Sequence, residues 1–203
     1  MQNIYFNHVM KTGGRTLQKA VTDSSLFDLT SMHRMCNFND YDYAFTAIRE
    51  PTERLLSHCR MLIQNKLSGC SLPPHRDAIL GPDDAFWLGD NFEDFLVNLP
   101  KKWKLHQLYF YSKTGNVEEA FDNIIKNTQI VLSEQREEGL SRLAIKVGYE
   151  PKVFVDVEPP KWQTTSNIKF RPTDCQIANV KNELEDEYVF YNKVINYYNE
   201  EQL

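Results

Sequence analysis

Apolar residues recur along the chain with two periods, and the changes between them predict strands alternating with helices. Asn3 to Phe6 is a short aromatic and β-branched run. It stops ahead of the pair Gly13-Gly14, after which Leu17, Ala20 and Val21 fall at helical spacing. Tyr43 to Ile48 reads as a second buried strand, followed by Arg49-Glu50-Pro51. Pro51 suits the first position of a helix, where its missing N–H would have had no partner. In that helix Leu55, Leu56, Cys59, Leu62 and Ile63 share one side, whereas Arg54, Ser57, His58 and Met61 share another, so Ser57 faces away from the main apolar stripe. Asp90 with Glu93, and Asn116 with Glu119, have capping-box spacing ahead of further helical runs. A third strand is expected at Gln129 to Leu132, then a helix carrying Leu140, Leu143, Ala144 and Val147, and a long closing helix from about Asp174 to Tyr198.

This alternation predicts an α/β fold of three layers, with a central, mostly parallel sheet flanked by helices and ligands beyond the carboxyl ends of its strands. Two stretches lack strong periodicity, Ser68 to Gly89 and Glu158 to Pro172. Loops of that length in a compact domain are usually functional or disordered, and here they are candidates for ligand contacts. Trp87, near the end of the first, has a stacking role on a ligand or a core role open to it.

Composition narrows the classes. At 203 residues, 1–203 read as one domain large enough to bury a core of its own. Lys and Arg number 23 against 28 Asp and Glu, a net charge of -5, so the broad basic field used for nonspecific nucleic-acid binding is missing. No signal-peptide layout opens the chain and no apolar run approaches the ~20 residues of a membrane span, so a cytoplasmic protein without membrane attachment is expected. Cys36, Cys59, Cys70 and Cys175 form no C-x-x-C pair and have no His at ligand spacing, so no metal is expected. Reduced thiols fit an intracellular setting better than a Cys59–Cys70 bridge.

Lys11-Thr12-Gly13-Gly14-Arg15-Thr16-Leu17 lies between a predicted strand and helix. Backbone N–H groups and the helix dipole attract an anion there, glycines permit close approach, and Lys11 adds a full positive charge. Strand-to-helix turns also use glycine for purely geometric reasons. The lysine precedes the glycines, which is the reverse of a Walker A loop and disfavours an ordinary ATPase or kinase.

Residues 11–17 resemble the 5′-phosphosulfate loop, K-T-G-G-[ST]-[ST]-L, of sulfotransferases that use 3′-phosphoadenosine 5′-phosphosulfate (PAPS), in particular the carbohydrate group. Arg49-Glu50-Pro51-Thr52-Glu53-Arg54-Leu55-Leu56-Ser57 resembles the same family's R-[DE]-P-x-x-R-L-x-S segment, whose first Arg and last Ser hold the 3′-phosphate. Read without the family, these residues are an Arg–Glu surface pair and a helix serine. Gln107-Leu108-Tyr109, Ile130 to Leu143 and Lys161 to Pro172 are similar to softer family segments, the last to the nucleotide-covering loop of heparan sulfate 2-O-sulfotransferases. Arg15 stands where the family usually has a small hydroxyl residue, and Met10 where it has proline.

The resemblance implies a P-loop-like fold and PAPS as donor substrate, with PAP as product and a hydroxylated small molecule or saccharide as acceptor. It implies donor contacts from Lys11, Thr12, Gly13, Gly14, Arg15, Thr16, Leu17, Arg49, Ser57, Thr164 and Thr165. Lys11 is expected on the leaving-group side. A histidine titrating near neutrality suits the general base, and His33 is the only one between the first helix and the strand before Arg49, where related enzymes carry theirs. His58 and Glu53 are the alternatives, and a local hydrogen-bonding role for His33 stands beside the catalytic one. Two other functions remain open at this point: a PAP-binding module without turnover, and a nucleotide kinase needing Mg²⁺ and ATP.

Overall fold

The computed structural model describes residues 2–35, 38–67, 92–154 and 172–200. Among these residues four strands form one sheet in the order β2-β1-β3-β4, with every neighbouring pair parallel: β1 (Gln2–Asn7), β2 (Phe27–Met32), β3 (Tyr43–Ile48) and β4 (Gln129–Leu132). Helix α1 (Gly14–Asp23) connects β1 to β2, and α2 (Pro51–Leu67) follows β3. Next come α3 (Phe92–Asn98), α4 (Lys101–Lys104), α5 (His106–Tyr111) and α6 (Val117–Asn127). After β4 the chain forms α7 (Arg136–Lys146), α8 (Asp174–Glu183) and α9 (Glu185–Glu200).

Strand side chains alternate between two faces, and each face carries its own core. Ile4, Phe6, Phe45, Ala47 and Val131 pack with Leu17, Ala20 and Val21 of α1 and Leu140, Leu143 and Ala144 of α7. Ile48, Ile130 and Leu132 pack on the opposite side with Leu55 and Leu56 of α2, Leu108 of α5, Ala120 and Ile124 of α6, and Phe190 and Val194 of α9. Burying both faces of a parallel sheet requires the near-continuous apolar runs that marked β1, β3 and β4 in the sequence.

The structure departs from the sequence reading in three places. Strand β2 was not anticipated: Phe27 is buried, but Asp28, Thr30 and Ser31 dilute the run, as befits a strand at the end of the sheet order among the described residues. The closing helix is two, α8 and α9, parted at Leu184, whose N–H is shared between the carbonyls of Val180 and Lys181. The second side of helix α2 is buried too at Arg54 and His58, which are 0% and 1% exposed.

The predicted caps are met in part. Asn116 accepts from the N–H of Glu119 (2.9 Å), but Glu119 turns to Ser112 and Thr114 instead of returning to Asn116. Glu93 accepts from Gln176 of α8, and Asp90 lies outside the described residues. So do residues 68–91 and 155–171, and with them Trp87, Thr164 and Thr165. No helix among the described residues is long and apolar enough to cross a membrane. Cys59 is a free, buried thiol, its pKa pushed up to about 12 chiefly by burial, and Cys175 is free and exposed, while Cys36 and Cys70 lie outside the described residues.

Candidate functional site

Connections from β1 and β3 leave the sheet in opposite directions, since β1 leads to β2 on one side while β3 lies on the other. In open α/β sheets such a divergence marks the place of the ligand crevice, beyond the carboxyl ends of the two central strands. The loop of residues 8–13 and the turn at Arg49 both lie there.

The β1–α1 loop is tightly wound. Lys11 and Gly13 have φ of 70° and 78°, left-handed values that a lysine adopts only when its surroundings hold it there. The buried Thr12 donates its hydroxyl to the carbonyl of Val9 (2.9 Å), and its own carbonyl accepts from Ser133 (2.6 Å). Thr12 therefore offers a ligand its N–H and not its hydroxyl. Leu17 is a core residue, 1% exposed, and Arg15 is exposed at the start of α1. The N–H of Thr16 donates to the Gly13 carbonyl (3.1 Å), and by helix geometry the N–H groups ahead of it in the first turn of α1 have no intrahelical acceptor and carry the positive end of its dipole.

Gly14 has a reason of its own beside the one its motif suggests. A Cβ built on it would lie 2.0 Å from Nε2 of His8, so the missing side chain makes room for an imidazole. The His8 ring stacks on Phe6 (centroids 4.8 Å apart) and tilts against His33 (4.4 Å). Burial above all, then the nearby His33, Arg15 and Lys11, hold its pKa down to about 3, so His8 is neutral.

Strand β2 delivers His33. The register pairs Asn7 with Met32, and the N–H of His8 donates to the carbonyl of Met32 (3.0 Å), so the two histidines lie side by side just past the strand tips. The Tyr5 hydroxyl fixes the next turn by donating to the carbonyl of Arg34 (2.9 Å). Nδ1 of the exposed His33 is 2.7 Å from the carbonyl oxygen of His8. A carbonyl only accepts, so Nδ1 carries the proton, and in the neutral ring Nε2 holds the basic lone pair.

At the tip of β3, Arg49 reaches back toward the first loop. Its guanidinium donates to the carbonyl of Lys11 (3.3 Å) and pairs with Glu53 one turn into α2 (3.4 Å). Glu50 caps α2: its carboxylate accepts from the N–H of Glu53 (2.7 Å) and from Tyr188 of α9. The N–H of Glu50 donates to Glu134 (2.8 Å), so the loops after β1, β3 and β4 are tied together by Arg49, Ser133 and Glu50.

Ser57 is the seventh residue of α2, about 9 Å along the axis from Pro51. It follows Glu53 by four positions and so extends the face on which Arg49 and Glu53 meet. His58 is buried near Trp103 (ring centroids 6.2 Å), where an acceptor has no access, and this removes it as a base. Glu53 is exposed and engaged with Arg49. Among the described residues no three His, Cys, Asp or Glu side chains are grouped to hold a metal ion.

Among the described residues, two of the open depressions lie as follows. One of about 510 Å³, lined by Gln2, Leu26, Asp42, Tyr43 and Tyr149, lies at the amino ends of the strands, away from these loops. The other, about 410 Å³, is lined by residues 133–138 and adjoins the crevice through Ser133.

Sequence reasoning missed a buried cluster beneath Arg49. The Arg54 Nε donates to Glu187 (2.9 Å), both side chains being fully buried, and the guanidinium also donates to the carbonyls of Trp103 and Lys104. His106, stacked on Trp103 (4.9 Å), has its Nε2 buried without a partner among the described residues, and burial first, then Arg54 and His33, lowers its pKa to about 3.

Two histidines that stay neutral in the fold but titrate near 6.5 when unfolded make the protein acid-sensitive. Below pH 6.5 the unfolded chain takes up protons that the fold does not, so stability is complete above that pH and falls as pH drops toward 3. At pH 5 each contributes a loss of about 2 kcal/mol. Urea midpoints measured at pH 7.5, 6 and 5 should decline accordingly, and His106→Gln should flatten the decline by about half.

No family model and no curated protein matches the chain.

Proposed function

We propose that the chain is a PAPS-dependent sulfotransferase acting on a hydroxyl acceptor, with a saccharide the favoured class, and that its parallel sheet is P-loop-like. The observation that carries this reading is the hydrogen bond from Arg49 to the Lys11 carbonyl. It joins two anion-suited motifs, one at a helix start and one at a strand tip, across the crevice between β1 and β3. A donor with phosphates at both its 3′ and 5′ positions needs two such centres.

The residues present fit that donor unevenly. The N–H groups of the loop and α1 suit the 5′-phosphosulfate, with Lys11 and Arg15 adding charge. Arg49 supplies a planar fork for the 3′-phosphate and Ser57 extends the same face. Thr12 and Leu17 contribute backbone only, because their side chains are used inside the protein. Thr164 and Thr165 belong to this reading through the family resemblance alone.

In the reaction, the acceptor oxygen attacks sulfur in line while the bond from sulfur to the 5′-phosphate oxygen breaks. Nε2 of His33 takes the hydroxyl proton, and PAP departs with the bonding electron pair. Lys11 and the start of α1 stabilise the charge that collects on the leaving oxygen. Positioning and electrostatics carry such a transfer, as they do for phosphoryl groups.

Calorimetric titration of PAP against ADP, which lacks the 3′-phosphate, tests the donor site. Wild type should prefer PAP, and Arg49→Ala should weaken PAP by roughly 10- to 100-fold with little effect on ADP, the scale of a hydrogen bond to a charged group. Equal affinity for the two nucleotides in wild type would sink the proposal.

A further inference from the structure

Gln107 is fully buried, yet none of its polar atoms is spent on its own helix. Its Oε1 accepts from the N–H of Arg49 (2.8 Å), and its Nε2 donates to the carbonyl of the same residue (2.8 Å). The side-chain amide thus pairs with Arg49 as a neighbouring strand would, one residue beyond Ile48, the last position of β3 that β4 matches. The other Nε2 proton goes to Glu187 Oε1 (3.1 Å), and Glu187 is held by Arg54.

Three bonds dictate one orientation of this amide. Turned over, its oxygen would face the Glu187 carboxylate and the Arg49 carbonyl, and its NH₂ would face an N–H. In the buried interior each such mismatch leaves a costly unsatisfied group.

We propose that Gln107 is the positioning residue for Arg49: its amide fixes the backbone from which the guanidinium reaches across to the Lys11 loop, and so sets the protein's discrimination for a 3′-phosphate. This rests on the sulfotransferase reading of Arg49. Gln107 does not touch the nucleotide, and its effect passes through the Arg49 main chain. The charged groups around the amide are Glu187 from α9 and Arg54 from α2, with the neutral His106 preceding it on α5.

The test compares Gln107→Met, which keeps the volume and removes all three bonds, with Gln107→Glu. In the Met variant the ratio of PAP to ADP affinity should fall about 10-fold, the scale on which losing an outer-shell partner weakens a held ligand, with ADP binding unchanged. The Arg49 amide should also exchange with solvent faster by NMR. Gln107→Glu keeps the two bonds to the Arg49 main chain only when its carboxyl is protonated, the third to Glu187 being lost, so its PAP preference should fall as pH rises, whereas that of wild type should not follow this profile. If Gln107→Met does not fold, the pH profile of the Glu variant decides. A folded Met variant with an unchanged nucleotide ratio and unchanged Arg49 exchange, or a Glu variant that follows wild type at every pH, would overturn the proposal. Absence of PAP preference in wild type refutes the sulfotransferase reading instead, and Arg49 amide exchange in the two variants then judges the bracket alone.

Discussion

Replacing His33 with Gln should slow sulfuryl transfer by roughly 10²- to 10⁴-fold, the range attributed to a positioned general base, while PAP binds as it does to wild type. The expectation follows from the tautomer. Donation from Nδ1 to the His8 carbonyl commits the proton to that nitrogen and leaves Nε2 as the basic atom on an exposed ring beside the crevice. Glutamine can keep the Nδ1-type donation with its NH₂ but has no nitrogen lone pair to take a proton. PAP release would be followed in the presence of a saccharide panel, with calorimetry on the same samples. Equal rates for variant and wild type would remove His33 from the chemistry, and parallel loss of binding and rate would make it a structural residue.

The second large effect is on stability. Arg54→Met should cost about 3–5 kcal/mol, because it strands the Glu187 carboxylate in the interior without its counter-charge. Burial already pushes the Glu187 carboxyl up, against the opposing pull of Arg54 and Gln107, so without Arg54 it should take up a proton. Arg54→Met with Glu187→Leu should return close to wild type, since a matched apolar pair often replaces a buried ion pair at no net cost. Urea denaturation of the single and double variants makes the comparison. A single variant within about 1 kcal/mol of wild type would show that water reaches the pair.

What the sequence disclosed follows from how strongly each residue's environment constrains it. β1, β3 and β4 are buried, and their apolar runs were plain. β2 carries a weaker alternation, and with it went the means by which His33 is brought beside His8. The loop and the Arg49 turn were legible because charge, glycine and proline have few uses at strand ends.

The cluster of Arg54, Gln107 and Glu187 was not legible. Its members are 133 and 80 positions apart along the chain, and a buried charge looks like a solvated one until its partner is known. Gly14 was read as room for an anion, and the need of His8 for space at the same residue went unseen, since no local pattern shows that a histidine six residues earlier folds back over it.

The placement of the two centres also divides labour between strands of unequal security. The anion-suited turns grow from β1 and β3, each hydrogen-bonded on both sides, whereas His33 rides on β2, at the end of the sheet order. Outer strands open more readily than inner ones. Under the proposed function, changes along 27–34 would re-aim the proposed base toward a differently shaped acceptor while the proposed nucleotide seat keeps its form, so that acceptor choice would drift without the donor having to be learned again.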